Sequence, residues 1–137
     1  MRIDLEKNLL VGHEPIDREH RGLADRINEI FLMLESRADR DRLDAAFQEL
    51  FAVMAGHFSN EERMMTDRQY PDMPIHAFRH NRLLLELQER ARITIGAFDD
   101  DLSDSIAFIE DWFSFHIKTD DTKLAAFLNS RHQAVQS

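Results

Sequence analysis

Five histidines and a glutamate of this chain fall at positions where helical spacing calls for an apolar residue. Ile16, His20, Leu23, Ile27, Ile30 and Leu34 alternate steps of four and three, the pattern of one apolar helix stripe, with a histidine set into it. Leu43, Phe47, Leu50, Met54, His57, Glu61 and Met64 repeat the alternation with two polar members. His76, His80, Leu83 and Leu87 form a third such set, and Leu102, Ile106, Ile109, Phe113 and His116 a fourth. A polar side chain buried without a partner loses water hydrogen bonds worth about 1 to 3 kcal/mol. A bound cation offsets that cost.

The spacing within each stretch favours chelation. His57 and Glu61 are four apart, as are His76 and His80, so each pair stacks on one helix face. His76-Ala77-Phe78-Arg79-His80 has the two histidines of a zinc protease motif, but Ala77 stands where that motif needs its glutamate base. This sets a zinc hydrolase aside. Imidazole-rich ligation with a few carboxylates suits iron, copper or zinc better than calcium or magnesium, which prefer oxygen shells. Five histidines also exceed the three protein ligands of a catalytic zinc, so two cations bridged by carboxylates use the set better.

For these groups to meet, the elements must run in alternating directions. His20 lies early in the first stretch, His57 and Glu61 late in the second, His76 and His80 early in the third, and His116 at the end of the fourth. In an antiparallel bundle those places share one end. Short connections support an all-α, up-down-up-down four-helix bundle. Tyr70-Pro71-Asp72-Met73-Pro74 opens the third helix, Gly96 suits its stop, and the acidic run Asp99 to Asp101 suits the start of the fourth without any need for calcium. The sequence predicts one domain over 1–137, with an N-terminal arm over 1–15, the bundle over 16–118 and a short C-terminal helix over 119–132 carrying Leu124, Phe127 and Leu128.

Composition narrows the function classes. A formal charge of −9 argues against nucleic acid or an anionic membrane as partner, since both would repel the chain. The absence of cysteine removes disulfides, thiolate metal sites and cysteine nucleophiles. Neither a signal-peptide core nor a membrane span is visible, so the expectation is a monomeric, cytoplasmic protein without membrane insertion.

The ordered motifs resemble those of hemerythrins, particularly bacterial ones. They are Val11-Gly12-His13-Glu14-Pro15-Ile16-Asp17-Arg18-Glu19-His20, then His57-Phe58-Ser59-Asn60-Glu61-Glu62, then Tyr70-Pro71 with His76 and His80, then His116-Ile117. The likeness runs from about residue 11 to 128. It implies two iron ions in an oxo- or hydroxo-bridged pair, with His76, His80 and His116 on one and His20 and His57 on the other. Glu61 and an aspartate would bridge them. The family's register puts that aspartate at Asp121, five after His116, whereas helical spacing alone selects Asp120, four after it. With two histidines, the second iron would keep an open position for dioxygen. The resemblance thus implies reversible dioxygen binding for carriage, storage or delivery, not enzymatic turnover, with Phe31, Trp112, Phe113 and Ile117 forming an apolar pocket.

Competing readings are a di-iron sensor of oxygen, redox state or nitric oxide, and a peroxidase-like di-iron enzyme. Ferritin-like oxidases use carboxylate-rich Glu-x-x-His sets, and the histidine-rich set favours binding. An oxygen-using enzyme or a signalling chain would be the macromolecular partner. His13 and His132 are expected at the surface or in loops, although His13 stands where the family usually has an apolar residue. Glu62 is expected to be solvated or to accept a hydrogen bond from a ligand. Met64 and Met65 are read as packing, and Trp112 doubles as a bundle anchor.

Overall fold

The computed structural model describes residues 10–96 and 102–136. Its elements are α1 (Glu14–Glu35), α2 (Arg40–Asp67), α3 (Met73–Gly96), α4 (Leu102–His116), a π-helical segment (Ile117–Asp121) and α5 (Thr122–Gln136). No strand occurs among the described residues. α1 packs on α2, α2 on α3, α3 on α4, and α4 returns to α1, which closes the bundle. The connections at 36–39 and 68–72 are too short for anything but antiparallel neighbours. No helix among the described residues is long and apolar enough to cross a membrane.

Local chemistry sets the ends. Pro15 lies in the first turn of α1, where its missing N–H costs nothing, and Glu14 and Asp17 face the positive end of the helix dipole. Asp39 caps α2 by accepting from Arg42 N at 2.9 Å. α1 and α2 both end in a Schellman turn. Arg37 N donates to Leu34 O and Ala38 N to Met33 O; Gln69 N donates to Thr66 O and Tyr70 N to Met65 O. Arg37 and Gln69 take positive φ there, a conformation that usually selects glycine.

The stripe residues whose side chains are described are buried much as the spacing requires, with local shifts; the side chains of Leu102 and Ile106 lie outside the described residues. The α1 stripe is buried throughout, and in α2 the buried methionine after Glu61 is Met65 rather than Met64. Leu83 is only half-buried. The main apolar cluster joins Leu23, Ile27, Ile30, Phe31 and Leu34 to Leu43, Phe47, Leu50 and Met54, with Leu87, Ile109 and Phe113 from α3 and α4. A smaller cluster joins Ile16, Met65, Tyr70, Leu124 and Leu128. The candidate ligands lie between the two along the chain.

The ends of the chain refine the expected boundaries. α1 starts at Glu14, inside the segment assigned to the arm, because Pro15 initiates the helix. The part of the arm that is described is pinned: Val11 N and Gly12 N donate to the buried Asp17 carboxylate at 2.7 and 3.2 Å. Residues 1–9 and the acidic run at 99–101 lie outside the described residues. At the other end the expected C-terminal helix is present as α5, Thr122–Gln136, joined to α4 without a break through the π segment.

Candidate metal centre

α1 brings His20, α2 brings His57 and Glu61, α3 brings His76 and His80, α4 brings His116, and the π segment brings Asp121. All seven are buried and meet at one pole of the bundle, where the ends of α2 and α4 lie beside the starts of α1 and α3. They form two overlapping groups. In one, Glu61, His76, His80, His116 and Asp121 each offer a nitrogen or oxygen within 4.8 Å of the others. In the second, His20, His57, Glu61 and Asp121 do the same, so the two carboxylates are common to both.

The two carboxylates divide their oxygens between the groups. Glu61 Oε1 lies 3.3 Å from His76 Nε2 and 3.1 Å from His80 Nε2, while its Oε2 lies 3.1 Å from His57 Nε2 and 3.9 Å from His20 Nε2. Asp121 Oδ1 lies 3.1 Å from His76 Nε2 and 3.2 Å from His116 Nε2, and its Oδ2 lies 2.9 Å from His20 Nε2. Five Nε2 atoms thus point inward at four oxygens. Despite these short distances, both Glu61 oxygens and the Nε2 atoms of His80 and His116 make no well-directed hydrogen bond, although all are sealed from solvent. Buried orphans of this kind are costly, and their donor set of imidazole nitrogens and carboxylate oxygens fits a cation of the iron, copper or zinc type.

The π segment explains why Asp121, and not Asp120, joins the group. In a π turn the backbone N–H reaches five residues back, as Thr122 N does to Ile117 O. The extra residue lets position i+5 take the inward place that i+4 takes in an α-helix. Asp121 therefore turns in with His116, and Asp120 becomes its outer neighbour.

Behind the inward nitrogens stands a second row of carboxylates. His57 Nδ1 lies 3.3 Å from Glu19 Oε1, His80 Nδ1 lies 3.0 Å from Glu62 Oε2, and His116 Nδ1 lies 3.2 Å from Asp120 Oδ2. An ionised carboxylate can only accept, so each Nδ1 carries the hydrogen, which leaves the Nε2 lone pair of the neutral ring for a cation. Glu19 also accepts from Asn60 Nδ2 at 2.9 Å, and Asp120 accepts from the Arg79 guanidinium. Of this row only the role of Glu62 is foreseen from sequence. Glu19 and Asp120 carry one legible signal, since each adjoins a member of the inner set in the chain.

Charge in the cluster is strongly biased. Burial lowers the His57 imidazole, but the contact with Glu19 and the nearby negative charges of Glu61 and Asp121 outweigh it and raise the group to about 10. Burial likewise acts against His116 and His76, yet Asp121 raises them to about 10 and about 9, together with Asp120 for the first and Glu61 for the second. Burial and the Asp121 charge push the Glu61 carboxyl up, and the imidazoles of His57, His76 and His80 more than reverse this. Asp121 is held well below the usual range by His116, His20 and His76 against its own burial. The carboxylates are ionised at neutral pH.

Aromatic rings wall the centre. Phe58 stacks on His80 with centroids 3.9 Å apart and planes within 6°, and meets His116 edge-on at 5.6 Å. Sequence reading missed this residue, whose signal is its place beside His57. Phe113 meets the His20 ring edge-on at 6.1 Å, and Phe31, Trp112 and Ile117 are buried in the same apolar cluster. His13 does not join the seven. It lines a separate cavity of about 250 Å³ with Met64, Arg68, Leu128 and Asn129. The side chain of His132 lies outside the described residues.

Comparison with known proteins agrees with this architecture. Residues 11–128 match the family described as Hemerythrin HHE cation binding domain. A bacteriohemerythrin of Campylobacter jejuni subsp. jejuni is 24% identical over 127 residues, covering 92% of this chain and 95% of that protein. The myohemerythrin of Riftia pachyptila is 31% identical over 113 residues, covering 82% of each chain, and that of Sipunculus nudus is 33% identical over 102 residues, covering 74% and 78%. With its family pattern matched over most of its length, the chain belongs to the hemerythrin family.

Proposed function

We propose that this chain holds two iron ions and binds dioxygen reversibly at them, as a carrier, store or delivery protein. The observation that carries the reading is the division of Glu61 and Asp121, each with one oxygen toward His76 and the other toward His20 or His57. That arrangement supports bridging between two cations. His76, His80 and His116 would complete one ion and His20 and His57 the other, so the second has fewer protein donors and a place for a small exogenous ligand. When bound, ferrous iron supplies the electrons that make dioxygen attachment reversible.

The chain's own groups do the rest. Glu19, Glu62 and Asp120 fix the tautomer and tilt of His57, His80 and His116, which keeps the inward nitrogens aimed before any ion arrives. Phe31, Phe58, Trp112, Phe113 and Ile117 exclude water around the two-metal space, which disfavours escape of charged oxygen species. The family's bacteriohemerythrins and myohemerythrins support the same reading.

Metal analysis of the isolated protein should find about two irons per chain, the number the two overlapping donor groups can share. Ferrous protein exposed to oxygen should develop a visible charge-transfer band that disappears when the gas is removed. Irreversible conversion to a ferric form, with no band lost on degassing, would refute reversible binding and favour a sensor or a peroxidase-like enzyme. The expected setting is the cytoplasm, and an oxygen-using enzyme would be the recipient.

A further inference from the structure

The three outer carboxylates are not supported alike. Glu19 is held by a neutral donor, Asn60 Nδ2, at 2.9 Å. The Glu62 carboxylate receives only His80 among the described residues. Among the described residues, Asp120 is the one that meets a full positive charge directly on its far side, from the Arg79 guanidinium.

Arg79 lies on α3 between His76 and His80, yet its side chain turns outward and is 50% exposed, against 9% for Asp120. A continuous chain of polar contacts therefore starts at the buried Nε2 of His116, passes through its Nδ1 to Asp120, and ends at a guanidinium in solvent. The same guanidinium lines a cavity of about 790 Å³ that also exposes part of His116 and Asp120. Among the described residues no other carboxylate of the outer row is in direct ionic contact with a guanidinium; Arg63 reaches Glu19 only through Asn60.

An imidazole whose Nδ1–H donates to a carboxylate gains imidazolate character, and its Nε2 becomes a stronger donor to a cation. A guanidinium on the opposite oxygen draws charge from that carboxylate and weakens the effect. It also fixes the carboxylate's orientation. We propose that Arg79 is a positioning residue that moderates the donor strength of His116 through Asp120. The consequence for iron rests on the function proposed above, but the coupling from Arg79 to His116 does not. Arg79 then biases the three-histidine side from the surface by direct ionic contact, whereas the nearest guanidinium behind Glu19, that of Arg63, reaches it only through the neutral Asn60 amide.

The test compares Arg79→Gln, Arg79→Lys and Asp120→Asn, with nitrogen NMR of the His116 ring in metal-free protein and the ferric–ferrous midpoint of iron-loaded protein. In Arg79→Gln the His116 Nδ1–H resonance should move, and the midpoint should fall, changing the ferric-to-ferrous ratio at fixed potential by about two- to fivefold, the size of a half-exposed ion pair. Arg79→Lys keeps the charge and should restore most of both signals. In the Asp120→Asn background, Arg79→Gln should add nothing. An unmoved His116 resonance, an unchanged midpoint, or an equal shift without Asp120 would overturn the proposal. If the resonance moves as expected but wild-type protein takes up no iron, the coupling stands and the di-iron reading fails.

Discussion

The two poles of this bundle are built from the same helices by opposite means. At the pole formed by the end of α1 and the start of α2, Leu34, Leu43, Phe47 and Leu50 fill the interior with hydrocarbon, and stability there follows from area removed from water. At the other pole the corresponding layer holds five imidazoles and two carboxylates, closed off by Ile16, Met65, Tyr70, Leu124 and Leu128. The first pole is favourable by itself. The second collects ionisable groups that folding alone would not reward, and its two acids sit side by side at the heart of it. If metal binds there as proposed, the layer that is a liability to the bundle by itself becomes the part that carries its function.

The sharpest way to break that contrast is to remove the carboxylate shared by both groups. Glu61→Ala should lower bound iron well below two per chain, because both donor groups lose a member at once. His57→Ala removes a donor from one group alone and should leave more metal behind. Retention of a full complement by Glu61→Ala would contradict the bridging assignment.

Metal removal exposes the same liability as a pH dependence. In metal-depleted protein His57, His76 and His116 titrate near 10, 9 and 10, above the ordinary 6.5. Groups raised on folding stabilise fully below their unfolded value, and that contribution is lost as pH rises through the folded value. Glu61 and Asp121 are lowered, so their contribution is present above the ordinary carboxylate range and is lost as pH falls below it. Chemical denaturation of metal-depleted protein should therefore show stability declining from pH 6.5 to 10, a slope that iron should flatten because bound imidazoles no longer exchange protons.

At the hydrocarbon pole the expected loss is in stability and not in metal. Leu50→Ala removes a fully buried side chain and should cost about 2 to 5 kcal/mol with iron stoichiometry intact. Loss of iron in a still-folded Leu50→Ala protein would mean that the poles are not independent. The outer carboxylates come next. Glu19→Gln and Glu62→Gln keep size while weakening acceptance from His57 and His80, and each should reduce metal affinity about 10- to 100-fold in a chelator competition.

The two poles were also unequally legible. Hydrocarbon positions follow from period alone, and so do His20, His57, Glu61, His76, His80 and His116, because each occupies an apolar register. Asp121 does not, since α-helical spacing selects its neighbour. What brings it in is the π segment, a departure from 3.6 residues per turn that no stripe of side chains announces. Glu19 and Asp120 escaped for a related reason: outer partners bond to the back of a ring, so they need not share its stripe. Phe58 lies off the α2 stripe as well, yet the crowding of rings around His80 buries it. The Met65 for Met64 exchange is ordinary drift of a heptad reading along a helix of 28 residues.

The smallest effects compare the two connecting turns. Arg37 at the hydrocarbon pole and Gln69 at the metal pole adopt φ of 55° and 56° in otherwise equivalent Schellman turns. A side chain in that region costs roughly 1 to 2 kcal/mol, and glycine relieves it while giving back part through a freer unfolded chain. Arg37→Gly and Gln69→Gly should each stabilise metal-depleted protein by about 0.5 to 1 kcal/mol in urea unfolding. Equal gains would show that the strain belongs to the turn motif itself. A gain at Arg37 with a loss at Gln69 would show instead that the metal pole relies on a stiff turn to hold Tyr70 against Phe127 and beside His76, tying the closing cluster to the aim of a ligand.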